Sequence, residues 1–469
     1  MVARLTILVN LCFCTAFACA DSLPNIILVM ADDQGWGDMA YNGHPHVKTP
    51  NFDKAAATGL RFDRFYAAAP VCSPTRASVM TGRHPNRMGV FKWGYPMRPQ
   101  ETTIAEALKT VGYTTGHFGK WHLGSVRKDS PANPGRNGFD RWFSAANFYD
   151  NHSILSDQGK AVPTKGESSV VAADAALEWI DSLKQDDPFL AVVWFGSPHS
   201  PHRAAEEDRV LYDDLPKNNQ HFLGEITGMD RAFGKIRNGL EKRGIRDNTI
   251  LWYCSDNGGL PKVGSTGGRA NKGKVYDGGL LVPAILEWPA KIKSPSTTDI
   301  RCNTCDIYPT LIEITGTKIK QQAPLDGVSL VGLVNGDASR RSKPMGFWDY
   351  PIKGISTPSD AWMTELYEAQ KLGKDLPPNE ASLRAAELPS PPYSTTEFPG
   401  HSALIEGDWK LHQIVGKKGQ TKWELYDLSS DKMETTNLID KRNDVAEKLK
   451  PTLRSWLTSV AESLNGDDY

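Results

Sequence analysis

Residues 71–82 read Val-Cys-Ser-Pro-Thr-Arg-Ala-Ser-Val-Met-Thr-Gly, a pattern that predicts a strand end, a cysteine and the first turns of a helix. Pro74 fits a first helical turn, where its missing N–H would have no partner in any case. Cys72 would then face free backbone donors and the positive end of the helix dipole, with Arg76 one turn along the same face. We infer an anion-attracting pocket with a nucleophile at its mouth. For a cysteine considered alone, a buried structural thiol is the favoured alternative.

Length and composition set the broad class of the protein. The chain has 469 residues, of which 39% are hydrophobic and 23% charged, and its formal net charge is -1. The length fits two or more structural units, and the composition is ordinary for a soluble globular protein. A nearly neutral chain gives no electrostatic reason to expect nucleic acid or a membrane surface as a partner.

The N-terminus has the pattern of a secretory signal. Arg4 precedes an apolar run, residues 5–17, and a small-residue exit follows at residues 18–20. We predict a signal peptide over residues 1–20 and a secreted or periplasmic mature protein, because the run is short for a membrane span and no second long apolar run follows. Lipoprotein-type cleavage before Cys19 fits the preceding residues poorly.

Four cysteines remain after the predicted signal, which is too few for a disulfide-stapled fold. Cys302 and Cys305 form a Cys-x-x-Cys pair with no second pair to complete a zinc site, so we interpret them as structural or, at most, as a local disulfide. Asn151 heads an Asn-x-Ser glycosylation sequon.

Apolar runs and helical patterns alternate along the first two thirds of the chain. Continuous apolar runs predict strands buried on both faces at residues 25–30, 189–195 and 249–254. Helical patterns occupy residues 49–59, 103–110, 169–183 and about 220–243. This alternation predicts a largely parallel sheet covered by helices on both faces.

Polar residues follow the predicted strands, where an open α/β sheet places its functional site. Two adjacent carboxylates repel each other unless a cation lies between them, so the Asp pair suggests a hard metal ion. The lysine and imidazole side chains suit anion binding and proton transfer. The residues concerned are Asp32, Asp33, Lys120, His122, His199, His202, Asp256, Asn257, Arg269 and Lys272.

The pattern changes near residue 340. Short strand-like segments and a final helix at about residues 443–464 predict a small antiparallel sheet with a packed helix. We therefore divide the mature chain into a catalytic domain, residues 21–340, and a smaller C-terminal subdomain, residues 341–469. A Pro-rich insert, residues 351–400, interrupts the subdomain, and connections of this length are usually functional or mobile.

The chain resembles the sulfatase family of the alkaline-phosphatase-like superfamily. Residues 72–76 look like the family's Cys-x-Pro-x-Arg signature, and residues 112–122 look like its second signature. Asp277 is a departure, because the family more often has Glu there. The resemblance implies an α/β, alkaline-phosphatase-like fold: a large, mostly parallel sheet sandwiched by helices, plus a smaller C-terminal antiparallel sheet with a helix.

The resemblance also implies that the protein hydrolyses sulfate monoesters and that the reaction requires a modified cysteine and a metal ion. A separate formylglycine-generating or sulfatase-maturing enzyme would oxidise Cys72 to formylglycine (3-oxoalanine), whose hydrate attacks sulfur. Ca²⁺ is the expected ion, with Mg²⁺ the second choice, because all its ligands would be oxygen atoms. The implied ligands are Asp32, Asp33, Asp256, Asn257 and the hydrate of residue 72.

The remaining roles follow from the same resemblance. Lys120 and Lys272 would hold the sulfate oxygens, and Arg76 would orient the hydrate. His122 would deprotonate the second hydroxyl of the hydrate, while His199, with Lys272, would protonate the leaving alcohol. Further residues expected to hold a sulfated glycan are His202, Arg203 and Arg269.

Two other functions remain open from the sequence. A phosphomonoesterase or phosphodiesterase could use the same fold, although the cysteine in the modification signature favours sulfate esters. A secreted glycan-binding protein without activity would result if Cys72 stayed a thiol.

Overall fold

The structure is a computed structural model that describes residues 22–378 and 383–469. The predicted signal peptide and Cys19 lie outside the described residues. The strands are β1 (Asn25–Ala31), β2 (Leu60–Tyr66), β3 (Thr114–Lys120), β4 (Arg141–Ala145), β5 (Ile154–Asp157), β6 (Lys160–Pro163), β7 (Phe189–Trp194), β8 (Thr249–Ser255), β9 (Leu281–Glu287), β10 (Ser296–Thr298), β11 (Cys302–Asn303), β12 (Met345–Asp349), β13 (Gly400–Glu406), β14 (Trp409–Val415) and β15 (Thr421–Asp427).

Helices cover the strands and connect them. The α-helices are α1 (Pro50–Thr58), α2 (Cys72–Thr81), α3 (Ile104–Lys109), α4 (Ser168–Ser182), α5 (Glu206–Arg209), α6 (Lys217–Lys242), α7 (Asp277–Leu280), α8 (Ile307–Thr315), α9 (Val331–Val334), α10 (Ser359–Lys371) and α11 (Asn443–Asn465). Among the described residues, no helix is both long and apolar enough to cross a membrane.

The large sheet has the strand order β10-β2-β9-β8-β1-β7-β3-β4-β5-β6, and β11 extends the pairing along β2. The central pairs β8-β1, β1-β7, β7-β3 and β3-β4 are all parallel, which confirms the predicted mostly parallel sheet. The antiparallel strand β9 and the edge hairpin β5-β6 were not expected from the sequence.

Two hydrophobic cores lie on opposite faces of the sheet, and β1 contributes to both. Ile26, Leu28 and Met30 join the core on the side of α2, α3 and α8. Ile27 and Val29 join the core beneath α1, α4 and α6. Successive strand side chains point to opposite faces, so a strand covered on both sides needs an unbroken apolar run. This is why the run at residues 25–30 predicts a central strand.

The C-terminal part forms the predicted antiparallel sheet, in the order β12-β13-β14-β15. One face packs against α11 through residues such as Leu411 and Leu453. The other face packs on the catalytic domain, where Phe347 and Ala403 contact Tyr66 and Leu280. The small sheet is thus buried on both faces and fixed to the catalytic domain.

The insert returns to the large sheet. Its helix α10 contributes Met363 and Leu366 to the core of the catalytic domain. Gln370 bonds β6 and its turn, donating to Gly159 O at 2.9 Å and accepting from Ala161 N at 2.9 Å. The helix therefore packs over the edge strands of the catalytic domain.

Candidate active site

Cys72 is the first residue of α2, directly after Val71 in extended conformation. Every residue of this helix is buried, including Arg76 one turn along. Gly82 ends the helix with φ +70°, a left-handed conformation that glycine adopts without steric cost. The predicted cysteine at a helix N-terminus is therefore present, and the helix is held rigidly in the core.

The two acidic segments meet at one edge of the sheet. Asp32 and Asp33 follow β1, and Asp256 and Asn257 follow β8, its parallel neighbour. Asp33 N donates to Asp256 Oδ1 at 3.1 Å, and Asn257 Nδ2 donates to Asp33 Oδ1 at 2.9 Å. Asp33 has φ +71°, an uncommon conformation for a non-glycine residue that is often found at functional sites.

Three cations neutralise the three carboxylates. Arg76 donates to Asp256 Oδ2 at 2.7 Å through Nη2. Lys120 Nζ lies 2.5 Å from Asp32 Oδ2. In the same way, Lys272 Nζ lies 2.7 Å from Asp33 Oδ2. The local charge is balanced, so a bound divalent cation would leave excess positive charge for an anionic substrate.

The donor atoms fit a hard cation. Oδ1 of Asp32 and Oδ1 of Asn257 are buried and have no hydrogen-bond partner among the described residues. Ligand atoms of Asp32, Cys72 and Asp256 all lie within 4.8 Å of one another. Burial, together with the nearby Asp32, raises the pKa of Asp256 to about 7. A cation at this point would relieve the crowding of the carboxylates and satisfy both unpaired oxygen atoms.

Burial makes the Cys72 thiol a poor nucleophile as it stands. It raises the pKa of the thiol, an effect that Lys120 and Lys272 oppose. A protonated thiol is also a poor ligand for an oxygen-preferring cation. The unmodified side chain therefore suits neither attack on an ester nor binding of the metal.

Two histidines border the acidic cluster. His199 Nε2 lies 3.6 Å from Asp33 Oδ2, and its ring stacks on Phe148. Burial lowers the pKa of His199 to about 4, despite the neighbouring Asp33. Burial and then Lys120 lower the pKa of His122 well below its ordinary value. Both shifts favour the neutral imidazole, in which one ring nitrogen keeps a free lone pair.

The loop that carries Lys272 is bonded to the segments on either side of the site. Lys272 N donates to Gly259 O at 3.0 Å, close behind Asn257. Gly273 N donates to Pro70 O at 2.8 Å, just before the cysteine. These backbone bonds hold the loop beside both segments, and the ion pair with Asp33 positions the ammonium group.

The three residues predicted to hold a glycan lie outside this cluster. The side chain of His202 is 5% exposed, with Nδ1 3.1 Å from Glu225 Oε2. Arg269 stacks on Tyr276 and donates to the hydroxyl of Tyr426 at 3.0 Å. Arg203 is the most exposed of the three, with 70% of its side chain accessible, and lies 3.4 Å from an Asp150 oxygen atom. Their contact with substrate stays a prediction.

Two residues near His122 were not predicted as site residues from the sequence. Thr357, from the insert, has Oγ1 3.1 Å from His122 Nε2, and Asn147 Nδ2 donates to the same oxygen atom at 2.7 Å. Asn147 follows β4, so its strand-end position could have revealed it. Thr357 has no local signal, because it lies 235 residues from His122 in a Pro-rich segment.

The remaining cysteines agree with the structural interpretation. Cys254, Cys302 and Cys305 are free and buried, so Cys302 and Cys305 are structural residues and do not form a local disulfide. Asn151 uses its side-chain amide to bond Arg203 O and Ser168 N.

Comparison with known proteins places this site in a family. The Sulfatase family model matches residues 24–317. Arylsulfatase A of Homo sapiens is 31% identical over 71% of this chain and 72% of its own length. N-acetylgalactosamine-6-sulfatase of Mus musculus is 31% identical over 66% of this chain and 65% of its own length, slightly less than two thirds of that relative.

A solved structure supports the fold across nearly the whole chain. Ps i-CgsB in complex with k-i-k-neocarrahexaose superposes with a TM-score of 0.77 at 22% identity, covering 93% of each chain. The family match spans most of the catalytic domain and includes the cysteine helix, both acidic segments and Lys272. The chain therefore belongs to the sulfatase family of sulfuric ester hydrolases.

Proposed function

We propose that this protein hydrolyses sulfate monoesters of carbohydrates, using formylglycine at residue 72 and a bound Ca²⁺. The observation that carries the proposal is the placement of Cys72 within ligand distance of Asp32 and Asp256, with Arg76 paired to Asp256 behind it. Oxidation of this cysteine to formylglycine would place oxygen atoms where they could attack a sulfate ester and bind a cation.

Formylglycine at residue 72 would provide what the thiol lacks, namely a nucleophile for the ester and an oxygen ligand for the metal. An aldehyde hydrate would supply one hydroxyl to attack sulfur and a second whose deprotonation expels sulfate and restores the aldehyde. A serine has no second hydroxyl for this release. The unpaired oxygen atoms of Asp32 and Asn257 support the same conclusion, because they fit a cation that binds oxygen ligands.

Ca²⁺ suits this donor set better than Mg²⁺. Its ligands would be Asp32, Asp33, Asp256, Asn257 and residue 72. Ca²⁺ accepts irregular arrangements of six to eight oxygen atoms, whereas Mg²⁺ requires a compact octahedron and usually retains several water molecules.

The surrounding side chains have separate roles in the reaction. Lys120 and Lys272 would hold the sulfate oxygen atoms and stabilise their charge in the transition state. His199 is neutral before substrate binds, and an adjacent sulfate would favour its protonated form, ready to donate to the leaving alcohol. His122 would take a proton from the hydroxyl group of residue 72 during sulfate release.

A carbohydrate substrate is supported by the groups around the site. Trp93 is 44% exposed, a large aromatic ring that could cover the apolar face of a sugar. Gly94, the next residue, donates its N–H to Ser73 Oγ at 2.9 Å, so the backbone next to Trp93 is bonded to the residue that follows the nucleophile. The mouse relative is named for a sulfated hexosamine, and the solved neighbour was crystallised with a hexaose.

The proposal includes a route to the active form. The predicted signal peptide would direct the chain to the periplasm or the exterior, and a formylglycine-generating or sulfatase-maturing enzyme would act on Cys72 during biogenesis. Sulfated glycans or their fragments are expected substrates in these locations.

Matched aryl esters test the reaction. Purified protein with Ca²⁺ should hydrolyse 4-nitrophenyl sulfate much faster than 4-nitrophenyl phosphate, and Cys72→Ala should abolish the reaction while keeping the fold. Mass spectrometry of the peptide spanning Cys72 reports whether the residue is modified. Faster phosphate hydrolysis, or turnover by Cys72→Ala, would contradict the mechanism. A panel of sulfated oligosaccharides would then identify the sugar.

A further inference from the structure

The beginning of the insert contacts the active site at more than one point. We name residues 350–358 the strap. Ile355 N donates to Trp93 O at 2.9 Å, in the loop whose Gly94 bonds Ser73 beside the nucleophile. Two residues further along the strap, Thr357 contacts His122. The strap thus contacts His122 directly, and it contacts the loop that is itself bonded to the cysteine helix.

Thr357 is itself held by a second residue. Asn147 Nδ2 donates to Thr357 Oγ1 at 2.7 Å and lies 3.1 Å from the Thr357 carbonyl oxygen atom. Asn147 follows β4, the parallel neighbour of the strand that leads to His122. The hydroxyl is therefore fixed from the catalytic domain while the backbone of the strap carries it.

Two hydrogen-bond arrangements fit the contact between His122 Nε2 and Thr357 Oγ1: an Nε2–H donates to the threonine, or the threonine hydroxyl donates to an unprotonated Nε2. A threonine oxygen can accept two hydrogen bonds, one from Asn147 and one from an N–H at His122 Nε2, 3.1 Å away. The other ring nitrogen, Nδ1, is buried and has no partner among residues 22–378 and 383–469. The second arrangement would leave a buried N–H on Nδ1 without an acceptor, which is rarer in proteins than an unpaired acceptor, so the first is favoured. A proton on Nε2 then leaves the lone pair on Nδ1 free.

We propose that Thr357 is a positioning residue that holds His122 as the Nε2–H tautomer, with Nδ1 free to accept a proton during sulfate release. The inference rests on the proposed function for the role of His122, but its structural part, the tautomer, does not. In the step concerned, the proton leaves a hydroxyl of residue 72 for Nδ1, a C=O bond forms there, and the C–O bond to sulfate breaks.

The tautomer can be measured without any turnover. In protein labelled with ¹⁵N-histidine, two-bond ¹H–¹⁵N correlations distinguish a protonated ring nitrogen from an unprotonated one, and His122→Gln assigns the signals. We expect Nε2–H in the native protein and loss of that uniform state in Thr357→Val, which replaces the hydroxyl by a methyl group of similar size. A proton on Nδ1 in the native protein would overturn the proposal.

Kinetics test the consequence. Slower sulfate release lowers kcat and KM together and leaves kcat/KM, which reports the earlier release of the alcohol, nearly unchanged. Thr357→Val should lower kcat about 10- to 100-fold on an aryl sulfate, and a burst of alcohol should precede the slow steady state. Thr357→Ser, which keeps the hydroxyl, should restore kcat. A general disturbance of the site would lower kcat/KM instead.

The neighbouring Ser356 provides a matched control. It is exposed, so Ser356→Ala should change neither the NMR signals nor kcat. Unchanged kcat and tautomer in Thr357→Val would refute the positioning role while leaving the sulfatase mechanism intact. If native protein carrying formylglycine fails to cleave any sulfate ester, the proposed function fails, and the tautomer still decides whether Thr357 positions His122.

Discussion

Lys410 Nζ lies 2.7 Å from Asp277 Oδ1, and this ion pair joins the C-terminal sheet to the loop that carries Lys272. Lys410 is fully buried and also lies 3.0 Å from Glu434 Oε1. Glu434 in turn accepts from Asp277 N at 2.6 Å. Asp277 thus helps the C-terminal subdomain to support the active-site loop.

Replacement of the buried Lys410 should destabilise the protein and lower its activity. Lys410→Met leaves two buried carboxylates without their cation, so we expect the free energy of unfolding to fall by about 3–5 kcal/mol. Displacement of Lys272 should lower kcat/KM up to about 100-fold. Lys422→Met is a suitable control, because Lys422 is 69% exposed and its pair with Glu424 contributes roughly 0–1 kcal/mol. Denaturant titration measures the free energy of unfolding of both variants, and an aryl sulfate assay measures their kcat/KM. Equal losses in Lys410→Met and Lys422→Met would contradict the supporting role of Lys410.

Much of the fold and the central cluster could be predicted because local patterns encode them. The unbroken apolar run at residues 25–30 predicts a strand that is covered on both faces. Parallel strands then bring their C-terminal ends to one edge, so Asp33 and Asp256 meet although 223 residues separate them. For the same reason Lys120 at the end of β3 reaches Asp32.

The contacts that could not be predicted are made by loops whose partners lie in distant parts of the chain. Thr357 lies in a Pro-rich segment without periodicity, and it reaches His122 through long-range contacts: the bond of Asn147 to Thr357 and the packing of α10 on the core of the catalytic domain. Arg269 has the composition of an anion-binding residue, yet its guanidinium stacks on Tyr276 and bonds the C-terminal sheet. Residue type predicts what a side chain can bind, but these partners come from distant parts of the chain.

The stability of the protein should depend on the titration of Glu225. Burial raises the pKa of this carboxyl from 4.5 to about 7, despite its bonds to His202 and Arg203 N. Between these values the folded state binds more protons than the unfolded state, so stability falls as pH rises. Glu225→Gln removes this loss, amounting to about 3 kcal/mol at most between pH 4.5 and 7.

Urea titrations of both proteins across this pH range provide the measurement. Glu178→Gln, at an exposed position of α4, should keep the pH dependence of the native protein. If Glu225→Gln loses stability with rising pH as steeply as the native protein does, then Glu225 is not the titrating group.

Asn257 should contribute directly to cation binding. Its Oδ1 is buried without a partner among the described residues, while its Nδ2 is bonded to Asp33. Asn257→Ala removes a ligand, so we expect Ca²⁺ affinity to fall about tenfold or more by calorimetry. Added Ca²⁺ should raise the Tm of the native protein and raise that of the variant less. Asn218→Ala, on the exposed side of α6, should bind Ca²⁺ normally. Unchanged affinity in Asn257→Ala would exclude this residue as a ligand.

Trp93 should contribute to binding of the sugar. The backbone of Gly354 packs flat against the indole, since a Cβ atom there would lie 2.1 Å from Cε2 of Trp93, and 44% of the tryptophan remains exposed. Such a ring can stack on a pyranose, so Trp93→Ala should raise KM for a sulfated oligosaccharide about tenfold, which corresponds to about 1.4 kcal/mol. Trp93→Phe should retain most of the affinity, because it keeps an aromatic face. Leu372, an exposed residue on the insert, offers a control in Leu372→Ala, which should leave KM unchanged. The same KM for native protein and Trp93→Ala would show that the glycan does not contact this ring.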